Sequence, residues 1–361
     1  MRKLCALCSV LCALLVAPAG ASARMKWDVS VLAHVPPPGY PALSLIAPDR
    51  TIYVGTFTNA TGSANGPSHI YAYSPDGLML RDWTIQGQSP DGDNGIQVAA
   101  QDAQGDLYLL DQLPPRVLKF DPHTGTQSTY ATFSDVPSCP PTGVATDCSD
   151  TVMDNPPEPD YAAWGPDGSL YVTDYTQSLI WRVPPGGGKA KVWLTDPQLD
   201  GTLFGPAGIV LMPDHKTLML DTSAGGATSI GNTTTGKLYK LPINPDGSPG
   251  KLQKIWESGP AQGPDGFALA QSGNVYMALV GPGTNQLVEI SPSGKELGRA
   301  PATPLDNRAM SVPFDEPSSV QFDGDRMIVT NDAYFSGDES RWVIYDVYAG
   351  EPGAPVYVPG R

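Results

Sequence analysis

Residues 165–174 read GPDGSLYVTD. A tight-turn tetrapeptide, with Asp and Gly supplying its geometry, runs into an alternating apolar strand that ends on an aspartate. The phrase recurs with variation as APDRTIYVGT at 47–56, AQGDLYLLDQ at 103–112 and PDHKTLMLDT at 213–222. It recurs again as QSGNVYMALV at 271–280 and DGDRMIVTND at 323–332. Copies spaced about 40–60 residues apart are the mark of a repeat architecture.

Aligned on that phrase, units begin near residues 40, 94, 158, 205, 263 and 315. Each starts with a first apolar strand (ALSLIA, IQVAAQ, YAAWG, GIVLM, GFALA, SSVQF), then the turn and second strand. A third strand alternates (HIYAYS, RVLKFD, LIWRVP, KLYKLP, QLVEIS, WVIYDV), and a more polar fourth closes the unit, as in LRDWTI. Four strands joined by hairpins form a meander. One such blade cannot bury both its faces, but a ring of them can. The repeats therefore predict a six-bladed β-propeller of four-stranded antiparallel blades, one domain over 24–361. The alternating stretch MKWDVSVLAHV at 25–35 is expected to supply the outermost strand of the sixth blade and close the ring. APVYVP at 354–359 is the competing candidate.

Residues 1–23 stand apart from the repeats. Arg2 and Lys3 precede an apolar run from Leu4 to Val16, and Ala21-Ser22-Ala23 places small residues where a signal peptidase cuts. This predicts a signal peptide cleaved after Ala23, and a secreted or periplasmic product with no membrane attachment. Three of the five cysteines lie in that segment, leaving Cys139 and Cys148 in CPPTGVATDC. In an exported chain this pair is expected to form one disulfide, worth roughly 2–3 kcal/mol in the chain-entropy picture. The formal charge is −15, or −17 once Arg2 and Lys3 are removed (−15 − 2). So acidic a surface repels nucleic acid and anionic membranes.

The four letters GPDG return at 263–266, but there they enter a first strand instead of preceding a second. In a propeller the first strands line a central channel, so Asp265 is expected at the channel mouth. By the same register Ala42, the Asp93/Asn94 pair, Asp160, Ala207 and the segment from Glu316 to Ser318 fall at blade entrances. Glu158 lies beside them. The aspartates ending second strands (Asp111, Asp174, Asp221 and, with Asn331, Asp332) are expected to bond backbone amides at the turns. None of the four histidines falls at an entrance, which disfavours a histidine-dependent lyase. No GxSxG, HExxH, P-loop or EF-hand motif is present.

GPDGFALAQSGNVYMA, GPAGIVLMPDHKTLMLDT and PDYAAWGPDGSLYVTD resemble blades of the senescence-marker-protein (regucalcin), gluconolactonase and luciferin-regenerating-enzyme propellers. The resemblance spans nearly the whole chain after residue 23. It implies a small organic ligand at the mouth and hydrolysis of a lactone or ester. It also implies Ca²⁺ held by a Glu, an Asn and an Asp at three entrances, since a hard cation wants several oxygen ligands. Asp265 matches the aspartate of that set. The glutamate position holds Ala42 and the asparagine position Ala207, and alanine cannot ligate a metal. On this alignment Asp265 is the ligand or base, Asp160 a second catalytic carboxylate, and Asn94 and Glu316 orient substrate. The alternative is a non-catalytic exported binding or scaffold propeller whose metal site has decayed, which the two alanines favour.

Overall fold

The computed structural model describes residues 23–59, 64–89, 92–140, 148–149, 155–201, 204–223, 235–281 and 284–360. The predicted signal peptide lies outside the described residues except for Ala23.

Six antiparallel sheets follow one another along the chain. Their innermost strands are Pro41–Ile46, Ile96–Gln101, Pro159–Trp164, Pro206–Leu211, Gly263–Leu269 and Pro317–Asp323, which head blades 1 to 6. These six strands pack side by side in a closed ring, the last against the first. Blade 2 gains a short fifth strand, Gly188–Lys189, lent in parallel by the outer hairpin of blade 3.

The turn that sets the repeat shows why the phrase keeps its letters. The Gly168 amide donates to the Gly165 carbonyl at 3.0 Å, and the Asp167 carboxylate accepts from the Ser169 amide at 3.0 Å. Gly168 sits at φ +80°, where a Cβ is strained. Asp167 also pairs with Arg182 across the hairpin.

Strand alternation then builds the core. In blade 3, Leu170 and Val172 pack toward blade 2 while Tyr171 between them packs toward blade 4. In blade 5, Tyr276 and Ala278 face blade 6, and Val275, Met277 and Leu279 face blade 4. The result is six apolar seams, one between each pair of neighbours, in place of a single central core. No seam exists without its neighbour, which is the physical reason a blade cannot stand alone.

Val29–His34 pairs antiparallel with Val343–Tyr348 and is the outermost strand of blade 6, as the alternation at 25–35 predicts. The rival segment near 354–359 does something else. It runs beneath the ring, at the far ends of the inner strands. The Ala354 amide donates to the Leu269 carbonyl, Gly353 bonds Gly324, and the Tyr357 ring rests 4.7 Å from that of His215 on blade 4. With the lower ends of all six inner strands this strap encloses a cavity of about 460 Å³. The strap therefore lies across one end of the channel. Cys139 and Cys148 are joined in a disulfide on the connection from blade 2 to blade 3. Among the described residues no helix is long and apolar enough to cross a membrane.

Candidate ligand site at the channel mouth

A single local device aims side chains at the mouth. In five of the six inner strands the ladder slips just after an entry proline. The slips fall between Pro41 and Ser44, Pro159 and Ala162, Pro206 and Ile209, Pro264 and Phe267, and Pro317 and Val320. Proline lacks the amide that would extend the ladder, and a bulge lets the next residue turn out of register. The residues after the prolines are Ala42, Asp160, Ala207, Asp265 and Ser318. Blade 2 has Ile96 in place of proline, and Gln97 stands at the matching position.

Two residues assigned from the sequence lie outside this ring. Asn94 does not reach the channel. It is 1% exposed, and its amide donates to the carbonyls of Ser89, Gly92 and Gly66, organising its own loop. Blade 2 instead contributes Gln97. Its Oε1 accepts from the Leu43 amide and its Nε2 donates to Asp160 Oδ1 at 2.8 Å. Glu316 is not the ring residue of blade 6, which is Ser318. Glu316 stands one step above it at φ +56°, and its carboxylate accepts from the Phe335 amide at 2.9 Å.

Asp265 and Asp160 are brought together as the register predicts, and Tyr161 binds them into the scaffold. The Tyr161 hydroxyl lies 2.9 Å from Asp265 Oδ1 and donates to the Ser318 carbonyl at 2.6 Å. A hydroxyl has one proton and a carbonyl can only accept. Its one proton therefore goes to Asp265 Oδ1 or to the Ser318 carbonyl at any moment. Burial, with Glu316 adding to it, pushes Asp265 up to about 7, against the opposing bonds from Tyr161 and the Gly266 amide. Burial and the Asp265 charge raise Asp160 well above the usual carboxylate range. Gly266 is required here for closeness and not for its φ. A Cβ on it would lie 2.4 Å from the Tyr161 hydroxyl and 2.7 Å from the Ser318 carbonyl oxygen.

Four more carboxylates surround this pair. Burial raises Glu158, whose carboxylate accepts from the Tyr175 hydroxyl. Burial also raises Glu316, Asp221 and Asp332. Asp111 and Asp174 behave as the turn-capping reading expects. Asp174 accepts from the amides of Glu158 and Gln177 and from Trp181, and Asp111 holds Arg116 and Gln88. Asp221 also meets that expectation, accepting from the Gly208 amide at 3.1 Å. Among the described residues its Oδ2 and the Oδ1 of Asp332 are buried without a hydrogen-bond partner. No Lys, Arg or His forms an ion pair with any of these six mouth carboxylates among the described residues.

The divalent cation implied by the sequence resemblance does not fit this arrangement. Ala42 and Ala207 stand in the same bulge register as Asp265, both buried and without donor atoms. Among the described residues no three His, Cys, Asp or Glu side chains converge to hold a metal ion. Seven or so oxygens at about 2.4 Å are what Ca²⁺ needs, and a ring of separated carboxylates does not supply them.

Aromatic side chains make a rim the sequence did not disclose. Tyr334 lies between Tyr40 at 5.0 Å, Phe57 at 6.3 Å and Phe335 at 5.8 Å. On the opposite blades Tyr175 lies 5.5 Å from Phe204, which is 40% exposed. Tyr334 and Phe335 follow Asp332 after Ala333, and Tyr175 follows Asp174 directly, so each marks the loop after a second strand. That position was the only signal available.

The fold is a six-bladed β-propeller, and solved propellers of several kinds superpose on it. A calcium-binding regucalcin from Agrobacterium tumefaciens superposes with a TM-score of 0.59 at 15% identity, covering 92% of this chain and 97% of that one. The Pseudomonas aeruginosa periplasmic gluconolactonase gives 0.51 at 17%, covering 88% and 89%. Virginiamycin B lyase from Staphylococcus aureus gives 0.52 at 15%, covering 90% and 99%. At such identities the likeness is one of fold. No family profile and no curated protein matches the sequence.

Proposed function

We propose that this chain is an exported propeller that binds a small organic ligand at its acidic channel mouth without a bound metal. The observation that carries this reading is the bulge ring itself. It sets Asp160 and Asp265 in one register at the entrances, with Gln97 bonded to Asp160, and has Ala42 and Ala207 at two of the positions that would have to ligate a cation. Polar groups converging in a recess with perturbed carboxyls are the ordinary marks of a ligand site. The disulfide on the mouth-side connection accords with export.

One observation favours a second reading, hydrolysis of a lactone or ester. Asp265, held near 7 and partly open to the channel, is poised to exchange a proton close to neutrality. As a carboxylate it would take the proton of a water attacking the carbonyl, and as the acid it would return that proton to the departing alkoxide.

A thermal-shift panel of sugar lactones, esters and small polar metabolites, run in chelator, tests both. The binding reading expects at least one compound to raise the melting temperature of wild type and to lose that effect in Asp160→Asn or Asp265→Asn. Stabilisation indifferent to both substitutions would place the ligand elsewhere and overturn it. Turnover of a stabilising lactone, abolished in Asp265→Asn, would establish the hydrolytic reading, and binding without turnover would dismiss it.

A further inference from the structure

We propose that the ligand of this mouth is an organic ammonium ion with an apolar body. The inference rests on the small-ligand reading above and names its chemical class.

Three independent features carry it. The first is a set of acidic groups without counter-ions. Glu158, Asp160, Asp221, Asp265, Glu316 and Asp332 surround one opening and find no cationic partner among the described residues. The contrast within the same molecule is plain. Asp323 on the opposite end of the channel is met by both Arg50 and Arg326, and Asp102 by Lys119. Where this chain buries acidic groups for structure, it supplies a counter-ion or, as for Asp174, a full set of hydrogen-bond donors.

The second is an orphaned acceptor. Asp332 is 8% exposed, and its Oδ1 has no hydrogen-bond partner. Its strongest electrostatic neighbours are Glu316, Asp265, Asp315 and Asp160, so it lies among the mouth carboxylates. Leaving a buried carboxylate oxygen unbonded is costly. Any donor that reaches it removes that cost, and a positively charged donor makes the stronger bond and also offsets the surrounding acids.

The third is the rim. Phe335 is 71% exposed and its amide is bound to Glu316, while Tyr175 is bound to Glu158. Each aromatic cluster is thus tied directly to a mouth carboxylate. A cation above an aromatic face and beside a carboxylate is held by both. An ion of the size of Ca²⁺ has no use for such a rim, and the carboxylates are too dispersed to coordinate one. An ammonium group on an organic body spans the distance between acid and ring.

Isothermal titration tests the proposal with 2-phenylethylammonium and n-hexylammonium chlorides, their neutral analogues 2-phenylethanol and 1-hexanol, and calcium chloride alone. Each ammonium is expected to bind at least tenfold more tightly than its alcohol. The preference should shrink as salt is raised and fall at least fivefold in Glu316→Gln and in Asp332→Asn. The wild-type ratio decides the matter even where a variant does not fold. Alcohols binding as tightly as the ammonium ions would overturn the cation proposal and leave the small-ligand reading standing. Failure of these probes and of every compound in the thermal panel would sink both. Stoichiometric calcium binding that the ammonium ions cannot displace would overturn the proposal in favour of a metal centre.

Discussion

The same four residues, GPDG, appear twice and do two different jobs. At 165–168 they are a surface turn. Asp167 caps the Ser169 amide, and Gly168 takes a left-handed φ with nothing nearer to an added Cβ than Pro185 at 3.7 Å. At 263–266 they form the bulged entrance of an inner strand. There Asp265 faces the channel, and Gly266 lets Tyr161 and the backbone of blade 6 come close. The first copy is fixed by local backbone geometry and the second by contacts from residues roughly fifty (Ser318) and a hundred (Tyr161) positions away along the chain. Identical letters therefore carry different constraints, and the difference shows only in three dimensions.

Substitution separates the two copies. Gly266→Ala drives a methyl into the Tyr161 hydroxyl and the Ser318 carbonyl, neither of which is free to move. It is expected to cost about 3 kcal/mol in urea unfolding. Gly168→Ala meets no neighbour and bears only the left-handed backbone, about 1 kcal/mol. Equal costs at the two sites would break the comparison.

The aspartates differ in sign as well as size. Asp265 is held up near 7, so between about pH 4 and pH 7 the folded protein keeps a proton that the unfolded chain has lost. Stability must then fall as pH rises through that window. Asp160, Glu158, Asp221, Glu316 and Asp332, all raised, act in the same direction. The wild type should melt higher at pH 5 than at pH 8. Asp265→Asn should narrow that gap and gain up to about 1 kcal/mol at pH 8 by relieving like charge. A melting temperature independent of pH in both proteins would refute the assignment. Asp167 is held below the usual range by the Ser169 amide and Arg182, so it matters only under more acid conditions. Asp167→Asn retains an acceptor for the turn and loses a half-exposed ion pair. It should cost about 0.5 kcal/mol or less and less still in high salt.

What the sequence disclosed follows the same division. The blades were legible because turn chemistry and strand alternation are local, and so was the closing strand at 29–34. Asp265 was legible from its place before an inner strand. Gln97 was not, because blade 2 lacks the entry proline that marks the register elsewhere, and Asn94 drew attention in its stead. Tyr161 could not be read as the partner of Asp265 from a position 104 residues away. The terminal segment alternates like a strand, yet its backbone is taken by Leu269 and Gly324 beneath the ring, and no local pattern distinguishes a strap from a blade edge. The aromatic rim lies in loops, where periodicity carries no information.

The central claim is that the mouth is a carboxylate site that does without a metal. Calcium titration by calorimetry on chelator-stripped, re-dialysed protein tests it most directly, with Asp265→Asn alongside. The account predicts no stoichiometric heat and no change in melting temperature between calcium and chelator for either protein. One calcium per chain, bound at micromolar concentration by wild type and lost in Asp265→Asn, would contradict it.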